Sequence, residues 1–267
     1  MAAPDKTNRV NEGKSARIAI IAVTQGGGEI ARTIAAHLLT FGVEPPVCYV
    51  KATHWDGRHD EIEAVPYEGS LRDHTADWFR RYNVIVFVLA LGAVVRIIAP
   101  CLVSKYDDPA VLSVDEAGQF VIPVVSGHVG GANLWAERLA SALGATAVVT
   151  TASDVTKTLP VDILGREYRW QRLTRDSKTL TRVAAAVVNR QPVAMIQQDG
   201  ETDWRSDYQP WPASIIIIDA ESDPDPGHFQ ALLWIGCTPP PEALSQLWSG
   251  RMVAYLIPED IMESSNA

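Results

Sequence analysis

Cysteine is scarce in this chain, and what there is cannot pair regularly: Cys48, Cys101 and Cys237 are odd in number, far apart and form no C-x-x-C motif. That excludes a disulfide framework and a thiolate zinc site, and it fits a reducing compartment. Cationic excess is missing as well. With 23 Lys and Arg against 32 Asp and Glu, the net charge of −9 argues against a general binder of nucleic acid or anionic membrane, which needs surplus positive charge on one face. An acidic ligand then requires local cations or backbone donors aimed at it. No run approaches the roughly 18 apolar residues of a membrane span, and the polar segment 1–16 has no apolar signal core. The expectation is a soluble, unexported, cytoplasmic protein. His54 and His59 stand in a polar loop with no regular ligand spacing, so no protein-bound metal is expected there.

What is present is an ordinary globular composition: 267 residues, 47% apolar and 21% charged, enough for one large or two moderate domains. Arg17 to Thr24 reads as a buried strand, and Gln25 to Glu29 turns it into a helix with Ile30, Ile34 and Leu38 on one face. Val47 to Val50 is a second strand. Ser70 with Asp73 three residues on opens another helix, and Val84 to Ala90 is the most apolar strand, suited to a sheet centre. Gly92 turns the chain after it. Ala110 to Asp115 and Phe120 to Val125 flank a glycine turn that fits a hairpin, and Thr146 to Thr151 closes the series. Beyond Val155 the pattern loosens into a helix at Ser177 to Asn189, strands at Val193–Ile196, Ser214–Asp219 and Ala231–Ile235, a short helix near Leu244 to Trp248 and a last strand at Met252 to Ile257. The fold class read from this alternation is α/β, a mainly parallel sheet flanked by helices, with a second, smaller α/β domain. The expected divisions are 1–16 as a tail, 17–154, 155–258, and 259–267 as a second tail.

One octapeptide carries most of the chemistry. Ser126-Gly127-His128-Val129-Gly130-Gly131-Ala132-Asn133 lies between an apolar strand and a run with Trp135, Leu139 and Leu143 at helical spacing. Its glycines allow close backbone approach, and the amides opening the next helix favour a carboxylate or phosphate. Thr24 to Gly28 could form a second anion-friendly turn, which lacks both G-x-G-x-x-G and G-x-x-x-x-G-K-[ST]. All such turns are expected at the carboxyl ends of parallel strands, facing one crevice. Arg96, a cation among aliphatics, is either paired with a carboxylate of the protein or held for one on a ligand. A packing role for the glycines and for His128 stands beside these readings.

From Leu91 to Asp154 the ordered string LGAVVRIIAP, DDPAV, VDEAG, SGHVGGAN and TTASD closely resembles the cobalt-precorrin-5A hydrolase family, the CbiG type, and 155 to about 258 resembles its middle region. The resemblance implies opening of the δ-lactone of cobalt-precorrin-5A with release of acetaldehyde to give cobalt-precorrin-5B. Its substrate is a tetrapyrrole fringed with acetates and propionates, with the cobalt carried by that substrate and no cofactor bound by the protein. Substrate binding then falls to Gly92, Arg96, Lys105, Ser126, Gly127, Gly130, Gly131, Asn133, Thr151 and Asp154. His128 is the candidate catalytic base, with Asp115 or Asp108 to orient it. Family members usually continue into a further C-terminal domain, so a non-catalytic corrinoid-binding subunit with a separately encoded partner is the alternative. A homodimer is compatible with either. A nucleotide- or sugar-phosphate-binding enzyme is a third reading, resting on the glycine turns alone.

Overall fold

The computed structural model describes residues 16–54, 62 and 64–258, which form two compact units divided between Val149 and Thr150. His59 lies outside the described residues. The first unit is a seven-stranded sheet built from β1 (Ile18–Ala22), β2 (Val47–Lys51), β3 (Ala64–Tyr67), β4 (Val84–Val88), β5 (Ala110–Val114), β6 (Phe120–Val125) and β7 (Thr146–Ala147). Their order across it is β3-β2-β1-β4-β5-β6-β7. Every neighbouring pair is parallel except β5 and β6. The apolar run at 84–88 is therefore the middle strand, as its composition predicts.

Strand alternation sorts the core into two faces. Ile18, Ile20, Val84, Val86 and Val88 face one side, where α1 (Gln25–Thr40) covers them with Ala31, Ile34 and Leu38, and α4 (Ala132–Leu143) with Trp135, Ala136 and Leu139. Ala19, Ile21, Ile85 and Phe87 face the other, under Trp78 and Phe79 of α2 (Leu71–Arg81) and Val94 and Ile98 of α3 (Leu91–Ile98). The helix at 25–40 begins earlier than the sequence suggests. Thr24 caps it by accepting the Gly27 amide at 3.0 Å, so the three glycines lie inside the first helical turn. Gly92 likewise lies within α3 and not before it.

The second unit is a five-stranded sheet in the order β10-β9-β11-β12-β8. Its strands are β8 (Gln171–Arg172), β9 (Val193–Gln197), β10 (Ile215–Ile218), β11 (Ala231–Gly236) and β12 (Met252–Leu256), of which only β8 runs antiparallel to its neighbour. Helices α5 (Ala152–Thr156), α6 (Ser177–Val188) and α7 (Glu242–Leu247) complete it. Trp248, Trp234 and Leu244 centre its core. The two sheets confirm the α/β class.

Two helix starts make stability depend on acid. The Asp73 carboxylate accepts the Ser70 amide at 3.0 Å, and Asp176 accepts the Thr179 amide at 2.8 Å and its hydroxyl at 2.7 Å. The backbone bond from Ser70 lowers the Asp73 pKa, and the hydroxyl and then the amide of Thr179 lower that of Asp176, both from an ordinary 3.8. A carboxylate whose folded value is depressed contributes stability that is present above the unfolded value and lost as pH falls through the folded one. Thermal unfolding followed from about pH 6 to pH 3 is expected to lose less stability in the Asp73→Asn/Asp176→Asn double variant than in the parent chain. Equal slopes would contradict it.

Candidate functional site

Strand direction decides where each loop emerges. Because β6 runs antiparallel to β5, with Val114 opposite Val121 and Val111 opposite Val125, the SGHVGGAN turn leaves the sheet beside the start of β5. The turns after β1 and β4 leave at the other edge. The expected single crevice is thus two sites on opposite edges, separated by the five residues of β5, about 16 Å at ~3.3 Å per residue.

Around His128 the loop is tightly built. Ser126 is buried with φ +58°, and its hydroxyl donates to the Asp108 carbonyl at 3.1 Å. Gly130 sits so close that a Cβ there would stand 2.5 Å from Ser126 Cβ, 2.9 Å from the Ser126 carbonyl and 3.2 Å from the Ala110 amide. Gly131 is left-handed at φ +82° and caps α4. Asn133 is buried, its amide group lying against Gly127. The Gly131 amide donates to the His128 carbonyl at 3.0 Å, that of Ala132 to Ser126 at 3.2 Å and that of Asn133 to Gly127 at 3.0 Å. This revises the anion site read from sequence: the first two amides of α4 are satisfied by the loop's own carbonyls, so the helix start acts through its dipole and not through those donors. His128 is half-buried within this frame.

Both proposed orienting carboxylates accept backbone amides of their own loops. Asp115 stands at the far end of β5, where its oxygens accept the amides of Phe120 at 2.6 Å and Ala117 at 3.1 Å and so close the hairpin. Asp108 is on the correct edge, yet its carboxylate accepts the Val103 amide at 3.0 Å and 3.3 Å. Through its carbonyl it holds Ser126, so it braces the loop. Nearby, burial and then Asp108 raise the Cys101 thiol, which keeps it protonated and a poor nucleophile.

The remaining candidates divide between the edges. Gly92 and Arg96 are exposed on α3, and the Arg96 guanidinium donates to the Gly92 carbonyl at 3.1 Å. The premise that Arg96 is buried is corrected: on an open helix face it needs no protein carboxylate. Lys105 is exposed on the β5-start edge, its ammonium 5.1 Å from the centre of the Tyr106 ring. Thr151 and Asp154 lie in the second unit, Thr151 preceding α5 and Asp154 in its first turn.

At the opposite edge the chain fills its own anion site. The Thr24 hydroxyl bonds to the Glu116 carboxylate, and a Cβ on Gly26 would stand 3.1 Å from that carboxylate. Glu116, from the hairpin turn, therefore occupies the start of α1, which argues against a phosphate there. Nothing local in the sequence marks this pairing of residues 92 apart; VDEAG read as a turn only. Glu116→Ala is expected to cost about 0.5–1 kcal/mol, the worth of an exposed charge-assisted bond at a helix start. Denaturant unfolding checks it, and an unchanged midpoint would show that the contact is idle.

Comparison with known proteins extends the picture. Residues 73–154 match the family model described as cobalamin synthesis G N-terminal, and 159–246 that described as cobalamin biosynthesis central region. A cobalt-precorrin-5A hydrolase of Priestia megaterium is 38% identical over 213 residues, covering 78% of this chain and 55% of that protein. One from Salmonella typhimurium is 36% identical over 155 residues, covering 58% of this chain and 41% of that protein. The chain thus spans about half the length of the curated relatives it matches.

Proposed function

The chain belongs to the cobalamin synthesis G (CbiG) family, and on that premise we propose that it hydrolyses the δ-lactone of cobalt-precorrin-5A at the β6–α4 turn. Water adds to the lactone carbonyl and the acyl C–O bond breaks, leaving an acetate on the ring and a hydroxyl on the C20 carbon. Loss of the hydroxyl proton forms the carbonyl of acetaldehyde as the carbon–carbon bond to the ring breaks. The released electron pair enters the macrocycle, which takes up a proton. One water is consumed and cobalt-precorrin-5B is formed.

His128 removes the proton from water, from the freed hydroxyl, or from each in turn, a role worth about 10²–10⁴ in rate. Ser126, Gly130 and Gly131 hold its loop, and Asp108 is a positioning residue that acts through Ser126. Arg96 and Lys105 are the cations for the carboxylate fringe. Cobalt enters as part of the substrate. The observation that carries the reading is the half-buried position of His128 in a loop braced by the Ser126–Asp108 bond.

A second reading is a corrinoid-binding subunit that turns over only with a separately supplied remainder; the chain covers 55% and 41% of the Priestia megaterium and Salmonella typhimurium proteins. Acetaldehyde measured from purified chain and cobalt-precorrin-5A, with and without that remainder as a separate polypeptide, separates the two. Release by the chain alone is the expected result. Release only with the added polypeptide establishes the subunit reading, and no release in either case contradicts both.

A further inference from the structure

We infer that Asn133 is a positioning residue for His128, acting through Gly127, and not a substrate contact, the role that its place in SGHVGGAN suggests. This role rests on the hydrolytic reading above and adds to it what holds the reacting loop on its helix side. The three glycines of the motif are there for three different reasons. Gly131 has a left-handed backbone at φ +82°, which favours glycine. Gly130 is crowded by the Cβ and carbonyl of Ser126. Gly127 has neither cause, since it does not share the positive φ of Ser126 and Gly131, and its backbone is open to residues with a Cβ.

What excludes a side chain at Gly127 is Asn133. A Cβ there would stand 2.7 Å from Asn133 Oδ1 and 3.2 Å from both its Cγ and its Nδ2, so the whole amide group crowds that point. The end of an exposed asparagine would swing away from such a contact. Asn133 is only 8% exposed, on the first turn of α4, which leaves it little room to turn. Its backbone amide also donates to the Gly127 carbonyl at 3.0 Å, and that carbonyl belongs to the peptide bond joining Gly127 to His128. Residue 133 therefore grips residue 127 twice, once through the main chain and once through the side chain.

Burial argues against direct contact with the substrate. A group that meets a large macrocycle must be open to it, and Asn133 is buried where Gly127, His128 and Gly130 are half-buried. A buried amide costs stability unless its polar atoms are used, and it is kept where it fixes one geometry. On the strand side of the loop, Ser126 is held by the Asp108 carbonyl at 3.1 Å and by the Ala132 amide at 3.2 Å. On the helix side, Asn133 holds Gly127. The two residues that lead into His128 are thus each fixed from outside. A general base must stay within hydrogen-bond reach of the proton it takes, and a displacement of about 1 Å can cost on the order of 10²-fold in rate.

The test uses the full chain with cobalt-precorrin-5A, adding the remainder as a separate polypeptide where turnover needs it, and follows acetaldehyde release and thermal unfolding. Rates are read well below each chain's unfolding transition. Asn133→Ala is expected to lower kcat about tenfold or more at unchanged KM, because the base is misplaced while the binding groups stay. A substrate contact would instead raise KM. Gly127→Ala is expected to lower the unfolding temperature, and to lower it less in the Asn133→Ala background, where the new methyl enters the space the amide has left. The rate does not return in the double variant, since the side-chain grip is still missing. With an active parent, Asn133→Ala at parental kcat, whatever its KM, or a Gly127→Ala cost that is equal in both backgrounds overturns the positioning role and leaves the hydrolase reading standing. A parent that releases no acetaldehyde under either condition overturns both.

Discussion

Replacing His128 with Ala is expected to slow acetaldehyde release from cobalt-precorrin-5A by about 10²–10⁴-fold, the usual worth of a positioned general base. Thermal unfolding should change little. The loop's shape is set by Ser126, Gly130 and Gly131, and the backbone bond in which the residue 128 carbonyl accepts the Gly131 amide survives in alanine. A rate loss without a stability loss would assign the imidazole to the chemistry. An unchanged rate would reduce it to a packing residue and move the search for the base elsewhere on the same edge.

Gly130→Ala should act on the same site by a different route. The added Cβ would meet Ser126 Cβ at 2.5 Å and the Ser126 carbonyl at 2.9 Å. Neither obstacle is the flexible end of a side chain that could rotate away, so the main chain must move. Overpacking of this kind costs about 1–3 kcal/mol, a fall of several degrees in the unfolding temperature. Activity should fall further than stability, since a shift of about 1 Å in a reacting group can cost on the order of 10²-fold. Gly144→Ala is the control: its φ is +67° but nothing lies within 4 Å, so it should strain α4's end without touching turnover. A Gly130→Ala chain with parental melting and rate would show that the loop is looser than its contacts imply.

Much of the fold was legible because period and punctuation agreed. The runs at 84–88, 193–196 and 231–235 are unbroken apolar stretches within strands, and Gly42 and Gly144 stand past helix ends with the left-handed backbone that glycine favours. Short elements were harder to see. β3 contains Pro66, and β8 and β7 have two residues each; the strand expected over Thr146 to Thr151 stops at Ala147 because the chain beyond it pairs only once more, through the Val148 amide to Val121.

The site was legible as a motif but not as a geometry. Reading 115–120 as a hairpin already implied that β6 reverses, and that reversal alone separates SGHVGGAN from Gly92 and from the Thr24 turn. The roles of Asp108 and Glu116 depend on contacts with Ser126 and Thr24, far away in sequence. No local pattern encodes such distances. Exposure is equally invisible in sequence: Arg96 and Val103 sit in an apolar segment that reads as buried, and only the packing of α3 through Val94 and Ile98 reveals which side is left open.

Amide hydrogen exchange of the full chain with and without cobalt uroporphyrin, a cobalt-bearing tetrapyrrole with acetate and propionate groups, most directly tests which sheet edge holds the ligand. The account predicts slower exchange at 102–108 and 126–134 when the ring binds, with 24–28 and 115–118 unchanged. Protection confined to 24–28 and 115–118 would place the ligand at the Glu116 edge and contradict it.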